Sequence, residues 1–137
     1  MNNKLLVGGL IGGVAAFILG YLIYGMLLHP MMAGETMAGV DKEMGEFNWA
    51  FLVLGNLTFG FLYAYVLTKS NTGGFSAGAM VGAVLGFLFA LAFDSIMYAT
   101  TNITTMKGMC LDIVGSVVMG ALVAGIIGAY LGKSKTV

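Results

Sequence analysis

Four long apolar runs, Leu5 to Leu28, Phe47 to Thr68, Ser76 to Ala99 and Gly108 to Leu131, are separated by polar stretches. At a rise of 1.5 Å per residue, each run covers a hydrocarbon core of ~30 Å as an α-helix. None shows the alternation of apolar and polar residues that a membrane β-strand needs, so a porin-like barrel is excluded. The pattern therefore predicts an all-α membrane protein, with four transmembrane helices in a single domain spanning 1–137. The first run follows Lys4 as a signal core would, yet its length exceeds the ~7–15 residues of such a core, so it is expected to stay in the mature protein.

Inside the runs, small residues recur every fourth position. The first has Gly8, Gly12, Ala16 and Gly20; the third has Gly74, Gly78, Gly82, Gly86 and Ala90; the fourth has Ser116, Gly120, Ala124, Gly128 and Gly132. The second is sparser, with Asn56, Gly60, Ala64 and Thr68. Lipid tails are as apolar as leucine, so membrane helices associate through close backbone approach and interhelical hydrogen bonds, and rows of this kind mark the seams. Bulky Phe and Leu side chains are then expected to face lipid.

The two halves of the chain superpose as sequences. Gly8, Gly12, Ala16, Gly20 and Tyr24 fall on Gly78, Gly82, Gly86, Ala90 and Asp94; with a shift for a longer loop, Asn48, Asn56, Gly60, Ala64, Lys69 and Ser70 fall on Asp112, Gly120, Ala124, Gly128, Lys133 and Ser134. Halves of about 4–70 and 74–134 thus read as two hairpins related by a parallel repeat, with its axis along the membrane normal.

Composition sharpens this picture. The chain is 59% hydrophobic and 9% charged, with a mean hydropathy of +0.97. Six lysines balance six acids, with no arginine, so no basic patch exists for nucleic acid. A single Cys and a single His remove disulfide frameworks, dithiol redox pairs, multi-histidine metal sites and a pair of axial haem ligands; no cofactor is expected. Lys4, Lys69, Lys133 and Lys135 share one side, while Glu35, Asp41, Lys42, Glu43, Glu46 and Lys107 share the other. The positive-inside rule makes the first side, with both termini, cytoplasmic. Tyr24, Trp49 and Tyr98 suit the outer aromatic belt, and Tyr65 and Tyr130 the inner one.

Candidate chemistry gathers near the outer surface. Asp94 continues the third seam one step beyond Ala90, and Asp112 begins the fourth one step before Ser116, so both should face protein. The chain from Ser95 to Leu111 is short enough to bring their carboxyls within roughly 10 Å, where two charges in a partly dry site repel. One of them must then hold a proton or take a partner such as Lys107, His29 or Tyr24. Tyr24, His29 and Asn48 reach the same outer level, and Asn56 lies nearer mid-membrane as interhelical glue. The functional reading of Asp94 and Asp112 is a cation or proton site; the commoner role for such residues is an interfacial cap or hydrogen-bond acceptor.

Other features weigh less. Eight of the eleven methionines (Met26, Met31, Met32, Met37, Met44, Met97, Met106 and Met109) lie toward the outer side with His29 and Cys110, but without the tight repeated spacing of a copper site. His29 before Pro30 reads as a helix C-terminal residue, and Cys110 as a small apolar packing residue. Asn102-Ile103-Thr104 matches a glycosylation acceptor, a weak pattern that has meaning only in a eukaryotic secretory pathway. The connection from Pro30 to Glu46 is long enough to be disordered or used for contact, with room for a short surface helix. Nucleophile elbows, phosphate-binding loops and zinc-protease helices are absent from the sequence, and no enzymatic activity is expected.

Gly20-Tyr21-Leu22-Ile23-Tyr24-Gly25, followed by Phe93-Asp94-Ser95-Ile96-Met97-Tyr98 and a Gly-rich last helix, resembles small four-helix bacterial inner-membrane proteins grouped as domains of unknown function. The resemblance spans the whole chain in length and layout and implies a bacterial inner-membrane location, without supplying an activity. Small multidrug transporters carry a first-span Glu, fluoride channels a first-span Arg, and thiol-oxidising quinone partners cysteine pairs; this chain has none of these. Seams on every helix exceed what four helices need for one another. The expectation is therefore a non-enzymatic module that acts by helix contact with lipid, with copies of itself or within a larger membrane complex. The alternative is a small cation or proton transporter or channel using Asp94 and Asp112.

Overall fold

A computed structural model describes residues 3–135. The predicted domain ends at residues 1–2 and 136–137 lie outside the described residues, as do the side chains of Ser134 and Lys135. The chain is all-helical: α1 (Asn3–Gly20) runs into a π-helical stretch (Tyr21–Leu27), then α2 (His29–Met32), a 3-10 turn (Met44–Glu46), α3 (Trp49–Lys69), α4 (Phe75–Thr100) and α5 (Met106–Lys135). Four stretches are long and apolar enough to cross a membrane: Asn3–Leu27, Trp49–Lys69, Phe75–Thr100 and Met106–Lys133. Their bounds lie within two residues of those read from the hydropathy pattern.

Local chemistry sets several ends. Asn48 caps α3, its side-chain oxygen accepting from Phe51 N at 3.3 Å. α3 stops in a Schellman motif: Asn71, at φ 56°, takes the left-handed position, Thr72 N donates to Leu67 O and Asn71 N to Thr68 O. Gly74, at φ 99°, then turns the chain into α4 and donates its N–H to Gly128 O at 2.7 Å, which pins the start of α4 to α5.

Small residues let the helices of each hairpin touch backbone to backbone. In the first, Gly60 of α3 lies against the backbone of Gly9, Gly12 and Gly13, and a Cβ on Gly13 would stand 2.9 Å from Leu57 Cα. In the second, the hydrogens that stand where a Cβ would be aim at carbonyl oxygens along the whole seam: Gly128 at Gly74, Gly78 at Ala124, Gly82 and Gly120 at each other, and Gly86 at Ser116. Such recurrent Cα–H···O contacts contribute perhaps ~0.5–1 kcal/mol each. Gly20 is different, since a side chain there would meet only side-chain atoms, the flexible end of Met119 at 3.4 Å and Asn56 Oδ1 at 3.9 Å.

The four long helices do not form a square. α5 is central and packs on α4, α1 and α3, whereas the backbone of α4 approaches that of α3 only slightly and stays apart from that of α1. The buried core lies between α1, α3 and α5 in the half of the molecule nearer the chain termini, built from Ala16, Tyr63, Ala64, Leu67, Val123, Ala124, Ile127 and Leu131. Large apolar side chains such as Leu10, Ile18, Phe51, Phe59, Phe87 and Phe93 point outward. In water, so much exposed apolar surface would drive aggregation; on four bilayer-length helices it is the lipid-facing surface of a multi-pass membrane protein.

Gly82→Leu is expected to destabilise the protein by about 1–3 kcal/mol or more in detergent-based unfolding, because a side chain there collides with the Gly120 carbonyl. Gly55→Leu, at an open position on the outer face of α3, should stay within about 0.5 kcal/mol of the parent. Equal stability of the two variants would contradict this account of the seam.

Candidate functional site

The site begins with a change of helix type. From Tyr21 to Leu27 the first span is π-helical, and Leu28 N bonds to Ile23 O, five residues back, at 2.8 Å. A wider turn slows the rotation of side chains around the axis, which otherwise carries an i+4 row steadily away from its seam. Tyr24 consequently still faces α5. Its hydroxyl lies 2.9 Å from Ser116 Oγ and donates to the backbone carbonyl of Asp112 at 3.3 Å. Gly115 makes room for it: a Cβ there would sit 3.1 Å from the Tyr24 hydroxyl and 2.6 Å from Leu28 Cδ1.

Asp94 comes to the same place from α4. Its carboxyl is near enough to Asp112 and to the Tyr24 hydroxyl for the three groups to interact electrostatically. Asp94 Oδ2 is shielded from solvent and has no hydrogen-bond partner. A carboxyl oxygen in that state lacks a donor, and a buried acceptor without one is costly. The one ion pair found among the described residues, Lys107 Nζ to Glu35 Oε1 at 3.8 Å, is directed elsewhere. Tyr24, Asp94, Asp112 and Ser116 thus form one cluster contributed by the first, third and fourth spans.

Beside the cluster, the loop before α3 and the loop between α4 and α5 interlock. Thr105 N donates to Glu35 O at 3.0 Å, Met37 N donates to Ile103 O at 2.7 Å, and Thr36 and Thr104 form an antiparallel bridge. Thr105 Oγ1 donates to Glu35 Oε2 and accepts from Gly108 N at 3.1 Å, so one hydroxyl ties the long loop to the first turn of α5. The Glu35 carboxylate also complements the positive end of that helix. The long connection is therefore anchored to the short one, with α2 and the 3-10 turn as its only helical parts among the described residues.

Other residues read as members of the outer cluster lie elsewhere. Asn48 is exposed and serves as the α3 cap. His29 is exposed where the π-helical stretch gives way to α2, so it starts a short helix; with Met32, Met37 and Asp41 it lines a separate loop cavity of about 200 Å³. Asn56, expected as interhelical glue, turns its amide back to Leu52 O of its own helix at 2.8 Å. Lys107 pairs with Glu35 instead of an aspartate, and Cys110 is exposed rather than packed inside. For Asn48 and Asn56 the partner lies within one helical turn, where forming the bond costs little additional ordering. Ser116 was read as a seam residue and is also a polar partner; Gly115 and the Glu35–Thr105 lock were not foreseen, because no periodicity marks them.

A double-mutant cycle of Tyr24→Phe and Ser116→Ala is expected to give a coupling near the ~0.6 kcal/mol typical of membrane-embedded hydrogen bonds, with ~1.7 as the upper range. Reversible unfolding in mixed micelles supplies the four stabilities. Additive effects would show that the 2.9 Å contact contributes nothing to the fold.

No protein-family model, curated protein or solved structure matches this chain.

Proposed function

We propose that the chain is a non-enzymatic multi-pass module of a bacterial inner membrane, with both termini cytoplasmic, that works by lateral helix contact as a homo-oligomer or as an accessory subunit of a larger membrane complex. The observation that carries this reading is the outward face of α3. Among the described span glycines, Gly55 is the one at which an added side chain would meet nothing, whereas the seam glycines are closed by neighbours within the chain. It opens into a shallow groove of about 370 Å³ lined by Phe51, Leu54, Gly55, Thr58, Phe59 and Leu62. Thr58 returns its hydroxyl to Leu54 O at 2.7 Å, so the groove makes no polar demand. An unfilled small-residue position between bulky neighbours lets another backbone approach closely, which is how membrane helices gain contact energy.

Two parallel repeats are part of the same proposal. Gly8 lies against Ala64 as Gly78 lies against Gly128, and Gly12 against Gly60 as Gly82 against Ala124, which supports the repeat, although Gly78 and Gly82 come closer still to Ala124 and Gly120. The packing between hairpins departs from the symmetry, since α1 lies on α5 while its counterpart α4 barely reaches α3.

Native mass measurement after mild solubilisation is expected to give a multiple of the 14.3 kDa chain or a complex with a co-purifying subunit, and Gly55→Leu should shift it toward monomer. A strictly monomeric parent with neither partner nor retained lipid overturns the reading. For orientation, in a Cys110→Ser background, Thr36→Cys should react with an impermeant thiol reagent from outside and Ser134→Cys should not; the reverse pattern inverts the topology.

A second reading, a small cation or proton transporter using Asp94 and Asp112, is favoured by the solvent-shielded, unpartnered Asp94 Oδ2 beside a second carboxyl. Reconstituted vesicles should then show proton, Na⁺ or K⁺ flux that disappears in Asp94→Asn. Flux equal to that of empty vesicles removes this reading.

A further inference from the structure

We propose that the cavity in the loop between the first span and α3 is a binding site for a soft monovalent metal ion, Cu(I) or its analogue Ag(I), with His29, Met32 and Met37 as ligands. The inference goes beyond both readings above and depends on neither.

Spacing along the chain does not bring these donors together; the fold of the loop does. His29 and Met32 lie three residues apart in α2, which sets them on one side of a helical turn. The chain then bends at Gly34 and again at Gly39, both at φ 82°, a left-handed conformation that glycine adopts without steric penalty. Between these bends the backbone of Met37 is fixed, its N–H donating to Ile103 O at 2.7 Å and its carbonyl accepting from Val40 N at 3.3 Å. Met32 is held in the same way: its N–H donates to Leu28 O at 2.8 Å, and its carbonyl accepts from Glu35 N at 3.0 Å. The result is a cavity of about 200 Å³ with His29, Met32, Met37 and Asp41 in its walls. Anchoring through Ile103, and through Glu35 to Thr105, orders this loop before any ion arrives.

The donor set selects the ion. Thioether sulfur is a soft, uncharged ligand that suits Cu(I), and a neutral imidazole nitrogen completes a three-donor set. Ca²⁺ and Mg²⁺ require several oxygen ligands, and structural zinc sites are built from thiolates and imidazoles. No cysteine lines the cavity, and among the described residues no group of three or more His, Cys, Asp or Glu is placed to hold a metal, so harder ions find no comparable set. Asp41 supplies a negative charge beside the bound cation, and Glu43 and Glu46 outweigh Lys42 in the same loop, which favours cation approach. Core packing does not explain Met37, the role methionine usually has, because its side chain is 53% exposed. His29 is exposed as well, so an ion can reach both donors from solution.

The test uses the full chain in mixed micelles, in a Cys110→Ser background so that the exposed thiol cannot compete, with methionine methyl groups carrying ¹³C. Ag(I) is added in chloride-free buffer. The methyl resonances of Met32 and Met37, assigned by Met32→Leu and Met37→Leu, should move and stop moving at one equivalent, while those of exposed Met31 and Met44 stay in place. Competition with a chromogenic Cu(I) chelator under anaerobic conditions should show binding weakened at least ~10-fold by His29→Ala or Met37→Leu, since loss of an outer-shell partner alone costs ~10–100-fold. Met44→Leu should bind as the parent does, and Zn²⁺ should move neither resonance. The site is overturned by resonances that do not move, by a response spread over all the methionines without saturation, by Zn²⁺ acting as Ag(I) does, or by unchanged Cu(I) affinity in Met37→Leu. The methyl response of the parent decides the matter even where a variant folds poorly.

Discussion

The rest of the structure depends on the distance at which two backbones meet. Gly82 and Gly120 each place a hydrogen against the carbonyl of the other, and Gly60 sits against the backbone of Gly9, Gly12 and Gly13. In a bilayer no aqueous phase forces these helices together, so the association has to come from contacts that bulkier side chains would prevent. The same closeness fixes axial register. Once Gly78, Gly82 and Gly86 are set against Ala124, Gly120 and Ser116, Asp94 has no choice of depth and arrives beside Asp112.

That register produces a division of labour along the membrane normal. The half nearer the chain termini is apolar, with Leu67, Val123 and Ile127 fully enclosed between α1, α3 and α5. The opposite half carries the polar cluster and the interlocked loops. Helix α5 takes part in both, which explains the variety of its small positions: Gly128 and Gly120 admit α4, and Gly115 admits the tyrosine of the first span. The π-helical stretch completes the arrangement by keeping Tyr24 on the face that meets Ser116. Local helix type, a single glycine on another helix and a serine hydroxyl thus cooperate to place one phenol.

Asymmetry between the hairpins separates their roles. The first hairpin contributes two of the three helices around the core, while in the second only α5 does so and α4 rests on it from outside. Helix α4 carries the carboxyl of Asp94 toward its C-terminal end. The open groove over Gly55, on the opposite hairpin, is apolar and free of such groups. The two surfaces therefore have different chemistry, one wholly apolar around Gly55 and the other carrying carboxyl, phenol and hydroxyl groups.

The amino-acid sequence by itself determined the number of spans, their bounds within two residues and the faces that meet, because bilayer thickness and the i+4 rows of glycine are one-dimensional constraints. It also placed Asp94, Asp112 and Tyr24 at one level, since each extends a seam by one turn. It did not distinguish these from Asn48, Asn56 and His29, which share that polarity and, for Asn48 and His29, that depth. Asn48 and Asn56 found partners within their own helices, at Phe51 N and Leu52 O, and His29 turned outward into the loop. Tertiary structure alone decided that α5 would be central, that Gly115 would make room for Tyr24 and that Glu35 would bind Thr105. Each of these depends on how helices rotate about their axes and on contacts between residues far apart in the chain, and neither leaves a periodic trace in the sequence.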